Sequence, residues 1–211
     1  MPLYLYEDSK NKVRVPIFFI HIPKCGGTTL EFFFNNLGFK SFLSPKDYRF
    51  VRQYLKVPPA HFDMSILEQF FQMDNIYSFA IIRCPYERML SDFRWAKSKT
   101  NNTSYFEKMS FEEFCLDSIN KYQKDETYLA NHITPQHKFI SSNVNKVFKL
   151  ENGLELAIRE VFADVGLVLN GNLSLPKMNQ TSKDDMQISS KAKSLIYKFY
   201  EEDFKVFGYE K

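Results

Sequence analysis

The chain has 211 residues, 44% hydrophobic and 17% aromatic, enough to bury one sizeable core, so a single domain over 1–211 is expected. Lysine and arginine exceed aspartate and glutamate by only 28 to 25, a formal +3 that excludes a dedicated nucleic-acid binder but leaves room for a local anion site. The three cysteines, Cys25, Cys84 and Cys115, are widely spaced with no Cys-x-x-Cys pair, which argues against a disulfide framework or a zinc site and for a reducing compartment.

From the N-terminus, residues 1–14 mix Glu7, Asp8 and Lys10 with tyrosines and lack the apolar stretch of a signal peptide, and the run from Ile17 to Ile22 is too short to cross a bilayer. A cytoplasmic protein without membrane contact is therefore expected. Val15 to Ile20 is a β-rich apolar run closed by Pro23 and the Gly26-Gly27 pair, which reads as a buried strand entering a turn. Thr28 or Thr29 is placed to cap a helix with Leu30, Phe33, Phe34 and Leu37 on one face, and Gly38 to end it.

Tyr77 to Ile82 repeats the pattern, followed by Pro85 and a helix carrying Tyr86, Met89, Leu90 and Phe93 on one side. A polar loop is expected between Ala96 and Tyr105, and another from Gly171 to Asp185. Lys146 to Leu150 reads as a third strand, Leu154 to Phe162 as a third amphipathic helix, and Ala192, Leu195, Ile196 and Phe199 mark a C-terminal one. Strands alternating with helices argue for an α/β fold around a parallel sheet.

Two turns carry the candidate chemistry. The first, His21-Ile22-Pro23-Lys24-Cys25-Gly26-Gly27-Thr28-Thr29, places two of only seven glycines before a helix, where backbone N–H groups and the helix dipole favour an anion and Lys24 adds a cation. An ordinary strand-to-helix turn, with glycine for geometry and threonine for capping, explains the same residues equally well. It is not a Walker loop, because Lys24 precedes the glycines. The second turn, Arg83-Cys84-Pro85-Tyr86-Glu87-Arg88-Met89-Leu90-Ser91, puts Arg83 at the end of its strand and Ser91 about two turns along the helix. Arg83 and Arg88 also read as structural partners of Glu87 or Asp92.

Together these turns resemble the membrane-type carbohydrate sulfotransferases, the heparan and chondroitin enzymes, which carry Pro-Lys-x-Gly-Gly-Thr-Thr and Arg-x-Pro-x-x-Arg-x-x-Ser. The similarity continues through Ala60-His61-Phe62-Asp63, Asn131 to Gln136, Leu150-Glu151-Asn152 and Lys177 to Lys183. It implies a three-layer, P-loop-like nucleotide-binding fold with a central parallel sheet. It also implies 3′-phosphoadenylyl sulfate as donor, adenosine 3′,5′-bisphosphate as product and a carbohydrate hydroxyl as acceptor. Lys24, Cys25, Gly26, Gly27, Thr28 and Thr29 would hold the 5′-phosphosulfate end, Arg83 and Ser91 the 3′-phosphate, with Asn179, Thr181 and Lys183 on a loop over the nucleotide. Cys84 departs from the pattern, standing where the family has aspartate, and the anchor and stem of the animal enzymes are missing, which points to a bacterial or viral relative.

Sulfuryl transfer is by analogy an in-line displacement carried by positioning and charge stabilisation. The sulfuryl group bears less charge than a phosphoryl group, so Lys24 and backbone donors suffice and no metal is expected. The acceptor must lose a proton, a task suited to histidine. Of four histidines, His61, stiffened by Pro58 and Pro59, is the expected base, and His132 the next candidate. Arg52, Lys56, Arg94 and Gln136 are weaker candidates for acceptor contacts. A nucleotide kinase and a nucleotide-binding module without catalysis are the alternatives.

Overall fold

The computed structural model describes residues 3–8, 13–43, 48, 52–98, 103–168, 175 and 186–211. Five strands, β1 (Leu3–Asp8), β2 (Val13–Ile20), β3 (Lys40–Phe42), β4 (Tyr77–Ile82) and β5 (Lys146–Lys149), form one sheet in the order β3-β1-β2-β4-β5. β2, β4 and β5 run parallel, as the alternating pattern predicts. β1 is antiparallel to both its neighbours, so the sheet is mixed rather than wholly parallel. The N-terminal stretch, read only for what it lacks, pairs with β2 across a connection too short for a parallel crossover. On the edge strand, Lys40 pairs with Glu7, charges that masked β1 and β3 in the sequence.

Helices cover the sheet on both sides. α1 (Gly27–Asn36) and α6 (Leu154–Asp164) lie on one face, where Tyr4 stacks on Phe34 at 4.2 Å and Phe34 meets Phe79 and Phe162 at 6.3 and 5.9 Å. On the opposite face Phe18 packs at 5.2 Å against Phe71, which follows α2 (Met64–Phe70). Each fully buried side chain of this size contributes roughly 1.5–3 kcal/mol. A second apolar cluster joins α3 (Pro85–Ser98), α5 (Phe111–Lys124), α7 (Ser190–Phe199) and α8 (Glu201–Phe207) through Leu90, Phe93, Phe114, Ile196 and Phe204.

Several local expectations shift. α1 starts at Gly27, and its N-cap is Gly26 in the left-handed region at φ 85°, with no side-chain cap, so neither threonine caps it. Leu37 falls just past the helix end and is exposed, leaving Leu30, Phe33 and Phe34 as the buried stripe. The polar loop after Ala96 is shorter than expected: Lys97 and Ser98 continue α3, and Thr103 and Ser104 open the short α4 (Thr103–Phe106), while 99–102 lie outside the described residues. Of the segment from Gly171 to Asp185, only Leu175 is described.

Candidate active site

The first turn leaves β2 at its carboxyl end. Lys24 takes a left-handed φ of 69°, which costs a residue with a Cβ roughly 1–2 kcal/mol, and Gly26 follows at φ 85°. The amides of Gly26, Gly27 and Thr28 have no hydrogen-bond acceptor among the described residues, because the first amides of a helix lack intrahelical partners. They form the positive end of α1. Cys25 is turned the other way: its amide bonds to the Ile22 carbonyl, its thiol lies 3.4 Å from Gln136 Oε1, and burial pushes its pKa up to about 12.

Gly27 is glycine for a steric reason that the sequence hides. A Cβ there would lie 2.2 Å from His21 Nε2. The His21 ring cannot retreat easily, since Nδ1 bonds Glu31 Oε1 at 2.8 Å and the ring stacks on Phe19. Gly27→Ala is expected to destabilise the protein by about 1–3 kcal/mol, as overpacking does, lowering Tm by several degrees in a thermal melt.

The second turn leaves β4, the neighbouring parallel strand. Arg83 Nη1 donates to the Lys24 carbonyl at 3.4 Å, and Nη2 lies 3.4 Å from Glu87 Oε2. The two turns therefore meet at the carboxyl edge of the sheet, where open α/β folds bind ligands. Buried Gln136 fixes Arg83 by accepting from its N–H at 2.9 Å and donating to its carbonyl at 2.8 Å. Asp203 of α8, fully buried, accepts from the amides of Gln136 and His137 and in turn fixes Gln136. Glu151, just past β5, accepts from the Cys84 amide at 2.7 Å, so three strand ends share one brace.

Arg88 is 2% exposed and structural. Its Nε donates to the Pro23 carbonyl at 3.1 Å, and its Nη2 to the His132 and Thr134 carbonyls at 2.7 and 2.9 Å. It ties the first turn to the segment 132–134.

Three histidine rings lie in a row beside the first turn. His61 stands between His21, 5.4 Å away, and His132, 5.1 Å away, both edge to face. His132 Nδ1 bonds buried Asp92 at 2.6 Å, and its ring lies 4.4 Å from Trp95, over which Lys24 Nζ sits at 5.4 Å. His61 Nδ1 bonds the Ala130 carbonyl at 2.9 Å. A carbonyl only accepts, so Nδ1 carries the proton and Nε2 keeps a lone pair. Burial, and then the neighbouring His132 and His21, hold the His61 pKa well below 6.5.

Of the residues singled out from sequence, Lys24 and Arg83 meet directly, and His61 reaches the glycine turn through His21. Thr28 is exposed and Thr29 buried on the first turn of α1, and Ser91 is half-buried on α3. Asn179, Thr181 and Lys183 lie outside the described residues. Gln136, considered for acceptor contact, is fully buried against Arg83 and Cys25 and serves the fold instead. Trp95 was missed, because it joins the site only through tertiary packing and its one local signal was that it is the sole tryptophan; Asp92, read as a partner of Arg83 or Arg88, bonds His132 instead.

No helix among the described residues is long and apolar enough to cross a membrane. Compared with models of protein families, the chain matches the one described as the sulfotransferase family over residues 12–210. No curated protein and no solved structure matches it.

Proposed function

The chain belongs to the sulfotransferase family, and from that premise we propose that it transfers a sulfuryl group from 3′-phosphoadenylyl sulfate to a carbohydrate hydroxyl. The observation that supports this reading is the contact between Arg83 Nη1 and the Lys24 carbonyl, which brings the two candidate anion-binding turns together. A donor with a phosphate on the 3′ oxygen and a phosphosulfate on the 5′ oxygen of one ribose needs such a two-ended site. The donor supplies an activated sulfuryl group on a good leaving group.

The residues present suit it. The amides of Gly26, Gly27 and Thr28, which have no acceptor among the described residues, would with Lys24 and Thr29 hold the 5′ end, and Arg83 with Ser91 the 3′-phosphate. Asn179, Thr181 and Lys183 are assigned to the nucleotide on the resemblance alone. Cys25 contributes the shape of the turn and no ligand contact, since its thiol and amide are both engaged. Lys24 neutralises charge on the transferring and leaving oxygens, and His61 Nε2 takes the acceptor's proton. With so little charge on the sulfuryl group, fixed cations and amides complete the step without a metal. The three thiols are all unpaired, which fits a reducing cytoplasm.

A thermal melt with nucleotides tests the reading. Adenosine 3′,5′-bisphosphate at about 100 times its Kd should add roughly 2.7 kcal/mol of stability, a Tm rise of about 5–10 °C, while ATP at equal concentration adds little. A larger rise with ATP would turn the assignment to a nucleotide kinase. A response to the bisphosphate without transfer of labelled sulfate to a polysaccharide panel would leave a binding module.

A further inference from the structure

Among the described residues, the run of consecutive non-glycine residues at positive φ is Leu129, Ala130 and Asn131, at 51°, 55° and 65°. None is glycine, and strain of this kind persists only where surrounding structure enforces it. The turn makes two reciprocal bonds to a single residue. The Ala130 carbonyl accepts from His61 Nδ1 at 2.9 Å, and Asn131 Nδ2 donates to the His61 carbonyl at 2.9 Å. Asn131 is 4% exposed, so its amide is committed to this contact.

We propose that Asn131 is a positioning residue, which clasps the His61 backbone so that the Ala130 carbonyl selects the Nδ1–H tautomer and leaves Nε2 bare for the acceptor hydroxyl. The inference rests on the reading of His61 as base and adds what sets its proton. A neutral imidazole in water distributes its proton between both nitrogens, and only the form with a bare Nε2 serves here. One side of the ring is held by His21 with Glu31, the other by His132 with Asp92, so rotation is already restricted. What those neighbours do not supply is an acceptor for Nδ1. The left-handed turn does, because it brings the Ala130 carbonyl and the Asn131 amide to the same residue. The following residue, His132, then enters its own bond with Asp92.

Asn131→Gly separates positioning from stability, because glycine adopts a φ of 65° without strain and removes only the side-chain donor. Two measurements on the full chain decide. The ¹⁵N shifts of the His61 ring should report a protonated Nδ1 and bare Nε2 in the wild type, and a tautomer mixture in Asn131→Gly. The variant's kcat should fall roughly 10- to 100-fold, as small misplacements of a reacting group do, with unchanged KM for the donor and an unchanged bisphosphate-induced Tm rise. Asn131→Asp, which keeps size and φ tolerance but presents an acceptor to a carbonyl, should behave like the glycine variant. Wild-type tautomer and kcat in Asn131→Gly would overturn the proposal. A changed tautomer in Asn131→Gly alongside full activity in His61→Ala would overturn it differently, by removing His61 from the reaction while leaving the clasp intact.

Discussion

Replacing His61 with alanine should lower kcat by about 10²- to 10⁴-fold while leaving the affinity for adenosine 3′,5′-bisphosphate unchanged. The expectation follows from the placement of the ring. It adjoins the first turn through His21 but belongs to neither proposed anion-binding turn, so on this proposal removing it takes away a proton acceptor and not a phosphate contact. Single-turnover assays with labelled donor, set beside calorimetric titration of the bisphosphate, measure the two quantities separately. Transfer at the wild-type rate would exclude His61 as base.

The pH dependence is set by the same ring. Its pKa is held well below 6.5 by burial and by His132 and His21, so the ring proposed as base is already neutral throughout the physiological range. The acid limb of kcat/KM should lie well below 6.5, with no further gain from His61 above it. For stability the sign is as follows: the unfolded chain protonates this histidine near 6.5, whereas the folded chain resists until lower pH. The unfolded state thus binds more protons in that window, and the contribution of His61 is complete above 6.5 and is lost as pH falls toward its folded pKa. His61→Ala should flatten that part of the acid unfolding curve.

How much of this was legible in the sequence depends on the range of the interaction. β2, β4 and β5 were readable as short apolar runs, and helices α1, α3, α6 and α7 because their burial is periodic along the chain. β1 and β3 were not: their pairing is with each other and with β2, and Glu7 and Lys40 sit where an apolar pattern would have announced them. α5 did carry a signal that was passed over, since Ser110 and Glu113 form a capping box, with the Ser110 amide bonding Glu113 Oε2 at 2.8 Å.

In the site, the glycine turn and Arg83 were legible because both lie at strand ends and use local backbone chemistry. The proton-handling side was only half legible. His61 stood out beside two prolines, but its Nδ1 partner lies 69 residues away on a turn whose Leu-Ala-Asn sequence gives no sign of left-handed geometry. Gln136 was misjudged for the same reason: its role in bracing Arg83 and Cys25 exists only once the chain has folded.

Lys24→Gly should cost about 10²- to 10³-fold in kcat, the usual consequence of deleting one preorganised charge donor at a transferring group, yet leave stability near that of the wild type. Lys24 sits at φ 69°, so glycine relieves roughly 1–2 kcal/mol of left-handed strain, offset by about 0.5–1 kcal/mol of added freedom in the unfolded chain. A lysine whose only role were structural would be expected to yield to the residue its backbone prefers. Lys24→Ala gives the complementary result, losing the ammonium and keeping the strain, so it should match the glycine variant in rate and fall below it in Tm. Because Lys24 Nζ lies over Trp95, the sole tryptophan, both variants should also change the intrinsic fluorescence in the same direction, a check that the ammonium has left the ring. If Lys24→Gly turns over at the wild-type rate, the strained backbone at this position serves the turn alone, and the charge at the transferring group must come from the helix amides.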